Sequence, residues 1–396
     1  MKSTSCKEIA QQVLDLCVAG KPPRELPRVL LEDPCGKALF GVLVEGLADR
    51  FEPALCDIYA RLFAQAVEHA VPGVDAASLF VRYQRVRRAR PVAGQPHRIF
   101  VLSRVTLGAD VAVTSVLLGA AKRRFPHAKI VFVGPAKNYA LFAGDRHIHH
   151  EPIAYQRGGL RERLAAWEPL RALLAGDDCL VIDPDSRLTQ LGLLPVCADE
   201  RYHLFESRGY GAESGRPLPE LAASWAQETF GIPGARPFVS LGPPAPRGAH
   251  IAVSLGVGEN PAKRLPDPFE EELMRLLAAT GAPLCVDLGA GGEEAARVRT
   301  ALDRAGAGAQ ATLWEGSFAG FASLIAAGRL YVGYDSAGQH VAAACGVPLI
   351  SIFAGFPAPR MFQRWRPVGP KANVVRVEGA DVAETLARVR EAVVAM

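Results

Sequence analysis

Apolar residues recur every three or four positions across CKEIAQQVLDLC, KALFGVLVEGLADRFE and ALCDIYARLFAQAVEHA, a spacing that predicts an all-helical segment over residues 1–90. Pro22, Pro23, Pro27 and Pro34 punctuate it. From residue 97 the period changes. RIFVLS, KIVFVG and CLVID read as strands, with DVAVTSVLLGAAKRRFP, LRERLAAWEPLRALLAG and PLPELAASWAQETFG as helices between and after them. Past the proline-rich RPFVSLGPPAPRGAH a second series begins with IAVSLGVG and runs through LCVDLGAGG, ATLWEG, LYVGYD, LISIFAG and NVVRV to the helix ADVAETLARVREAVVAM. Two successive alternations predict an α/β protein with two doubly wound, Rossmann-like domains, residues 97–240 and 249–396. Ligands of such sheets bind outside the carboxyl ends of the strands, so a cleft where the two domains face each other is the expected site. A return of the final helix to the first domain is an option.

Four strand-to-helix turns carry candidate chemistry. In YVGYDSAGQHVAAACGVP an apolar strand runs into Asp335, Ser336, Ala337, Gly338 and His340 before a helix of small residues. The first N–H groups of a helix lack intrahelical partners and the macrodipole is positive there, so the turn suits a phosphate; the competing reading is a plain cap by Asp335 or Ser336. In SRVTLGADVAV, Asp110 opens a helix, either as a cap or as a carboxylate able to take a proton from a hydroxyl. In SLGVGENPAKRLP, Lys263 follows a glycine-rich loop, solvated or placed to meet a diphosphate. In DLGAGGEEAARVR, Glu293 stands at a helix start, favourable for the dipole or aimed at ribose hydroxyls. A GxGxxG with a downstream acidic residue and a GK[ST] ending are both missing, which argues against dinucleotide and P-loop chemistry.

Composition narrows the partners. The net charge of +4 over 396 residues does not point to nucleic acid. The run RYQRVRRAR reads as a solvated helix face or linker, with contact to an anionic acceptor or a membrane surface as the lesser alternative; peripheral contact with a membrane or a protein partner through the N-terminal helices is a further option. Eight cysteines without a CxxC pair signal neither a disulfide framework nor a zinc site. Asp183-Pro184-Asp185 is formally a DxD, for which capping or acceptor contact outranks metal binding, and His147, His149 and His150 read as a solvated loop. The opening residues do not resemble a secretory signal and Val111 to Ala121 is too short to span a bilayer, so a cytoplasmic location, with peripheral contact at the inner membrane as an option, is expected.

Asp335-Ser336-Ala337-Gly338-Gln339-His340-Val341-Ala342-Ala343-Ala344 with Gly346-Val347-Pro348 resembles the D-[ST]-G-x-x-H-x-A-A-A-x-G-x-P signature of glycosyltransferase family 9, the bacterial ADP-heptose:lipopolysaccharide heptosyltransferase group. RVTLGAD resembles that family's R-L-S-S-L-G-D, and Lys263-Arg264-Leu265-Pro266 its K-R-W-P. These matches span residues 97–396 and leave residues 1–90 uncovered. The resemblance implies a GT-B fold and inverting transfer of heptose or a related sugar from a nucleoside-diphosphate donor, ADP-linked by family habit, to a glycan or lipopolysaccharide-type acceptor. It implies Asp110 as general base, Lys263 on the donor diphosphate, the Asp335–His340 turn on phosphates and sugar, Glu293 on the nucleoside, and no metal cofactor. Arg104 is a weaker candidate for the acceptor side. Ala109 stands where the family has glycine. The alternatives are an epimerase-like enzyme of the same fold and a non-catalytic binding scaffold.

Overall fold

The computed structural model describes residues 5–242, 246–258, 260–289, 291–379 and 381–396. Its first sheet holds β1 (Arg98–Leu102), β2 (Lys129–Gly134), β3 (Ile148–Pro152), β4 (Cys179–Asp183) and β5 (Tyr202–Leu204), in the order β3-β2-β1-β4-β5. The second holds β6 (Ile251–Ser254), β7 (Leu284–Asp287), β8 (Ala311–Trp314), β9 (Leu330–Tyr334), β10 (Leu349–Phe353) and β11 (Ala372–Arg376), in the order β11-β10-β9-β6-β7-β8. Every pairing is parallel; Ile99, for example, lies opposite both Ile130 and Leu180. β1, β4, β9 and β10 read as near-continuous apolar runs because helices cover both faces.

Each sheet has one switch point, where neighbouring strands send the chain in opposite directions: between β1 and β4 in the first, between β9 and β6 in the second. Three of the four candidate turns follow β1, β6 and β9, and the fourth follows β7 beside β6.

Three expectations change. His149 and His150 lie in edge strand β3 rather than in a loop, with the His150 ring stacked on Tyr139 at 4.4 Å. The polar composition of IHHEP hid it, since an edge strand leaves one side uncovered. The final helix, Val382–Val394, stays on its own sheet, its Val389 and Ala392 in one core with Leu273, Leu277 and Ile352. The element that crosses is the helix Pro359–Trp365, whose Arg364 guanidinium donates to the carbonyls of Gly211 and Arg216, each at 2.8 Å.

The arginine run is the third. Helices Cys6–Val18, Glu45–Ala48, Pro53–Ala70 and Ala76–Val86 share a hydrophobic core with the first sheet, joining Tyr59, Phe63 and Tyr83 to Val181, Leu188 and Tyr202. Arg82 Nε donates to Asp199 at 2.7 Å, Arg85 reaches the same carboxylate, Arg87 bridges Asp57 and Glu206, and Arg90 donates to the carbonyl of Tyr202 at 2.9 Å. The run clamps the helices onto the first Rossmann-like domain, so most of its charge is spent inside the molecule. Among the described residues no helix is long and apolar enough to cross a membrane.

Candidate active site

In the second domain the helix Ala337–Ala344 begins at Ser336, an extended residue (φ −151°) whose hydroxyl makes no capping hydrogen bond to the helix. The plain-cap reading of Ser336 therefore fails, and the first amides of the helix keep their donor capacity. Its hydroxyl lies 3.3 Å from that of Tyr331. Gly338 is required there: a side-chain carbon at that position would sit 2.4 Å from the Tyr331 hydroxyl. Lys263 Nζ donates to the Asp335 carboxylate at 2.7 Å and to the Asp335 carbonyl at 3.0 Å. Gln339 donates to the other Asp335 oxygen and accepts from the Ser351 hydroxyl. An ammonium group has three donors, so Lys263 has one left for a ligand. His340 is buried, and burial lowers its pKa to about 4, which keeps the imidazole neutral.

In the first domain Asp110 is fully buried. The Ser103 hydroxyl and the Asn138 amide donate to one carboxylate oxygen, each at 2.6 Å; the Arg104 backbone N–H, at 2.7 Å, and the Thr114 hydroxyl, at 2.6 Å, donate to the other. Burial still pushes the carboxyl above its ordinary pKa, against the pull of those donors. The general base implied for Asp110 thus meets a closed cage: a substrate hydroxyl reaches it only by displacing one of four donors. Ala109 has φ −70°, an ordinary helical value needing no glycine, whereas a side-chain carbon at Gly108 would lie 3.2 Å from both Ala337 Cα and the His340 ring. Gly108 is one of the points where the two domains touch.

The DxD carboxylates are likewise spent. Asp183 accepts from Tyr202, Thr189 and the Ser186 N–H, and Asp185 from Ser207 at 2.7 Å and from Arg208 at 3.1 and 3.2 Å. Among the described residues no cluster of His, Cys, Asp or Glu could hold a metal. Arg104 donates to the Ser207 hydroxyl at 2.8 Å and to the Pro184 carbonyl at 2.5 Å. Glu293 is exposed, and its neighbour Glu294 turns inward instead. Side-chain carbons at Gly289 and Gly256 would meet the Glu294 carboxylate at 2.2 and 2.6 Å, so Glu294 is the glutamate lying over the strand-end loops of β7 and β6.

Trp365 joins the parts. Its ring lies 6.0 Å from the His340 ring, 5.7 Å from the Arg104 guanidinium and 6.4 Å from Phe51 of the helical segment. The Phe51 carbonyl accepts from Arg360 at 3.2 Å. The spacing of apolar residues around Asp49 and Phe51 announces only a helix ending; no sequence signal marks this segment as part of the cleft.

Residues 200–391 match the family described as glycosyltransferase family 9 (heptosyltransferase). Among solved structures, E. coli heptosyltransferase WaaC with ADP superposes with a TM-score of 0.56 at 18% identity, covering 75% of this chain and 99% of that one. E. coli ADP-heptose lps heptosyltransferase II gives 0.53 at 22% identity, over 75% and 98%. The glycosyl transferase family 9 protein from Veillonella parvula gives 0.54 at 15%, over 73% and 88%. These likenesses carry the two-domain GT-B fold. No curated protein matches the chain.

Proposed function

We propose that this chain, whose residues 200–391 match glycosyltransferase family 9, catalyses an inverting, metal-independent transfer of heptose or a closely related sugar from an ADP-linked donor to a glycan or glycolipid acceptor in the cytoplasm. The observation that carries this reading is the uncapped start of the helix Ala337–Ala344 beside Lys263, at the switch point between β9 and β6. A diphosphate needs positive charge and N–H donors, and that corner supplies both. As the bond from the anomeric carbon to the diphosphate breaks, negative charge grows on the leaving oxygen, where Lys263 and the helix amides stabilise it. In this role Asp335 holds Lys263, Gln339 holds Asp335, and neutral His340 with Gly338 and Ala337 forms the wall against the sugar. Arg104 faces the acceptor. ADP as the nucleotide is favoured by the relatives whose structures are described with ADP or named for ADP-heptose.

A thermal-shift panel of ADP, UDP, GDP, CDP and their sugars tests the proposal, because a ligand that binds the native state raises its apparent stability. ADP and ADP-heptose should raise Tm in the wild type and lose that effect in Lys263→Ala and Asp335→Ala. A folded protein that responds to no nucleotide would overturn the reading in favour of a scaffold.

A further inference from the structure

Among the described residues, five that are not glycine hold a left-handed backbone: Phe51 (φ 55°), Val105 (72°), Asp185 (72°), Gln190 (49°) and Leu191 (61°). Such conformations cost free energy and persist where rigid surroundings hold them, most of all for a β-branched valine. All five lie around one junction. Val105 follows Arg104 past the carboxyl end of β1, Asp185, Gln190 and Leu191 follow β4, and Phe51 belongs to the helical segment. Hydrogen bonds tie these turns together: Asp185 accepts from Ser207 at 2.7 Å, Ser207 from Arg104 at 2.8 Å, and the Gln190 carbonyl from the Tyr59 hydroxyl at 3.1 Å. Trp365 of the second domain reaches into this junction, with the Arg104 guanidinium at 5.7 Å and the rings of Phe51 and His340 at 6.4 and 6.0 Å. Its short helix is anchored away from its own sheet, by Arg360 on the Phe51 carbonyl at 3.2 Å and by Arg364 on the carbonyls of Gly211 and Arg216 at 2.8 Å. Phe51 and His340 are buried, whereas Trp365 is half-buried and keeps accessible surface.

We propose that Trp365 is a specificity-determining residue: its ring carries one face of the donor's sugar, and the helical segment holds that ring in place through Phe51. The inference rests on the transfer reaction proposed above and names what recognises the sugar apart from the nucleotide. The corner formed by Lys263 and the start of the helix Ala337–Ala344 suits a diphosphate whether or not a sugar is attached. A sugar leaving that corner passes His340, and the aromatic surface next to His340 is Trp365. Sugar rings present C–H groups on their faces and hydroxyls at their rims. An indole offers those C–H groups a broad apolar face with a negative quadrupole. Such a platform works only if it is held still. Edge-to-face packing against Phe51 and His340, with interplanar angles of 77° and 61°, and the Arg104 cation over the ring fix its orientation. Arg104 keeps a second task. Both of its hydrogen bonds come from Nη1, to Ser207 and to the Pro184 carbonyl, so Nε and Nη2 retain three donors without a hydrogen-bond partner among the described residues. Those donors are available to the acceptor that must approach the same sugar.

Calorimetric titration with ADP and with ADP-heptose tests this in wild type, Trp365→Leu and Trp365→Phe, with tryptophan fluorescence as a second reading. Trp365→Leu should weaken ADP-heptose binding by about tenfold while ADP stays within about twofold of the wild type. Trp365→Phe, which keeps an aromatic face, should recover most of that loss. In the wild type ADP-heptose should change the fluorescence beyond what ADP does, and this sugar-dependent part should vanish in Trp365→Phe. Equal weakening of ADP and ADP-heptose in Trp365→Leu, as expected of a residue that only docks the domains, would overturn the inference and leave the reaction standing, as would unchanged affinity for both. Where Trp365→Leu fails to fold, Trp365→Phe decides, and a sugar-dependent fluorescence change that persists in it overturns the inference. A folded wild type that binds neither ADP nor ADP-heptose would overturn the inference together with the reading it rests on.

Discussion

Two aspartates occupy matching places, each just past a strand at the switch point of its sheet, and they have opposite fates. Asp110, after β1, is enclosed by four uncharged donors. Asp335, after β9, takes a lysine on one oxygen and a glutamine on the other, beside a helix start left uncapped. The first arrangement uses up its hydrogen-bonding capacity internally and staples the turn 103–110 to the strand. The second leaves donors to spare, one on Lys263 and more on the helix. The same strand–turn–helix geometry thus closes one carboxylate among protein donors and leaves donors open beside the other. The difference lies in which neighbours supply the hydrogen bonds, and a motif match at Asp110 carries no information about that.

The comparison breaks first at Asp110. Replacing it with Ala orphans four buried donors, each costing about 1–3 kcal/mol when no substitute partner is found. The hydroxyls of Ser103 and Thr114 can rotate toward other acceptors, so a net loss of about 3–5 kcal/mol is expected in urea unfolding. Asp335→Ala should lose less stability and more donor affinity. Wild-type stability in Asp110→Ala, with transfer abolished, would return Asp110 to the role of base.

His340 gives the next largest effect, with a sign set by its pKa of about 4 against an ordinary 6.5. Between those values the unfolded chain binds a proton that the native state refuses, so stability is lost as pH falls from 6.5 toward 4, by about 3 kcal/mol at most. Asp49, at the end of the helix Glu45–Ala48, acts the other way. Burial raises its carboxyl from 3.8 to about 6, so the native state holds a proton the unfolded chain gives up and stability grows as pH falls through that range. Denaturation midpoints at pH 7.5 and pH 4.5 should therefore differ less in His340→Gln than in the wild type, and more in Asp49→Asn. A His340→Gln profile that superposes on the wild type would show that the imidazole is not buried as described. On the donor side, Lys263→Ala should weaken ADP binding by about 30- to 100-fold, roughly 2–3 kcal/mol, when measured by calorimetry; unchanged affinity would place the diphosphate elsewhere.

Much of this architecture is written in the chain's periodicities. Buried parallel strands are continuous apolar runs, and the helices between them repeat every three to four residues, so both sheets and their order of elements were readable. The signature around Asp335 was readable too, because its residues are neighbours in sequence. Edge strands β3 and β5 were not: one exposed side removes the apolar run of β3, and β5 is only three residues long. Nor was the clamp of Arg82, Arg85, Arg87 and Arg90, because their acidic partners Asp199 and Glu206 lie more than a hundred residues away. The same distance hides Phe51 and Trp365: a three-way junction is a property of how the parts dock. Local pattern specifies each element, and only packing decides which side chain of a turn faces the cleft.

Glu293 and Glu294 show that limit at the scale of one residue, and they give the smallest and sharpest test. Both sit in the first turn of the helix Gly292–Ala305, where either carboxylate suits the dipole. A step of one residue turns a helix by about 100°, so one of the pair faces solvent while the other lies over Gly256 and Gly289. If the nucleoside rests on those strand-end loops, Glu294→Ala should weaken ADP binding by about five- to tenfold, near 1 kcal/mol, the worth of a single hydrogen bond. Glu293→Ala should change neither affinity nor stability beyond about 0.5 kcal/mol, as expected of an exposed position. The reverse outcome would move the nucleoside off the glycine loops and onto the outer face of the helix, away from the switch point. It would also leave Lys263 with no diphosphate within reach, so this small difference bears on the whole placement of the donor.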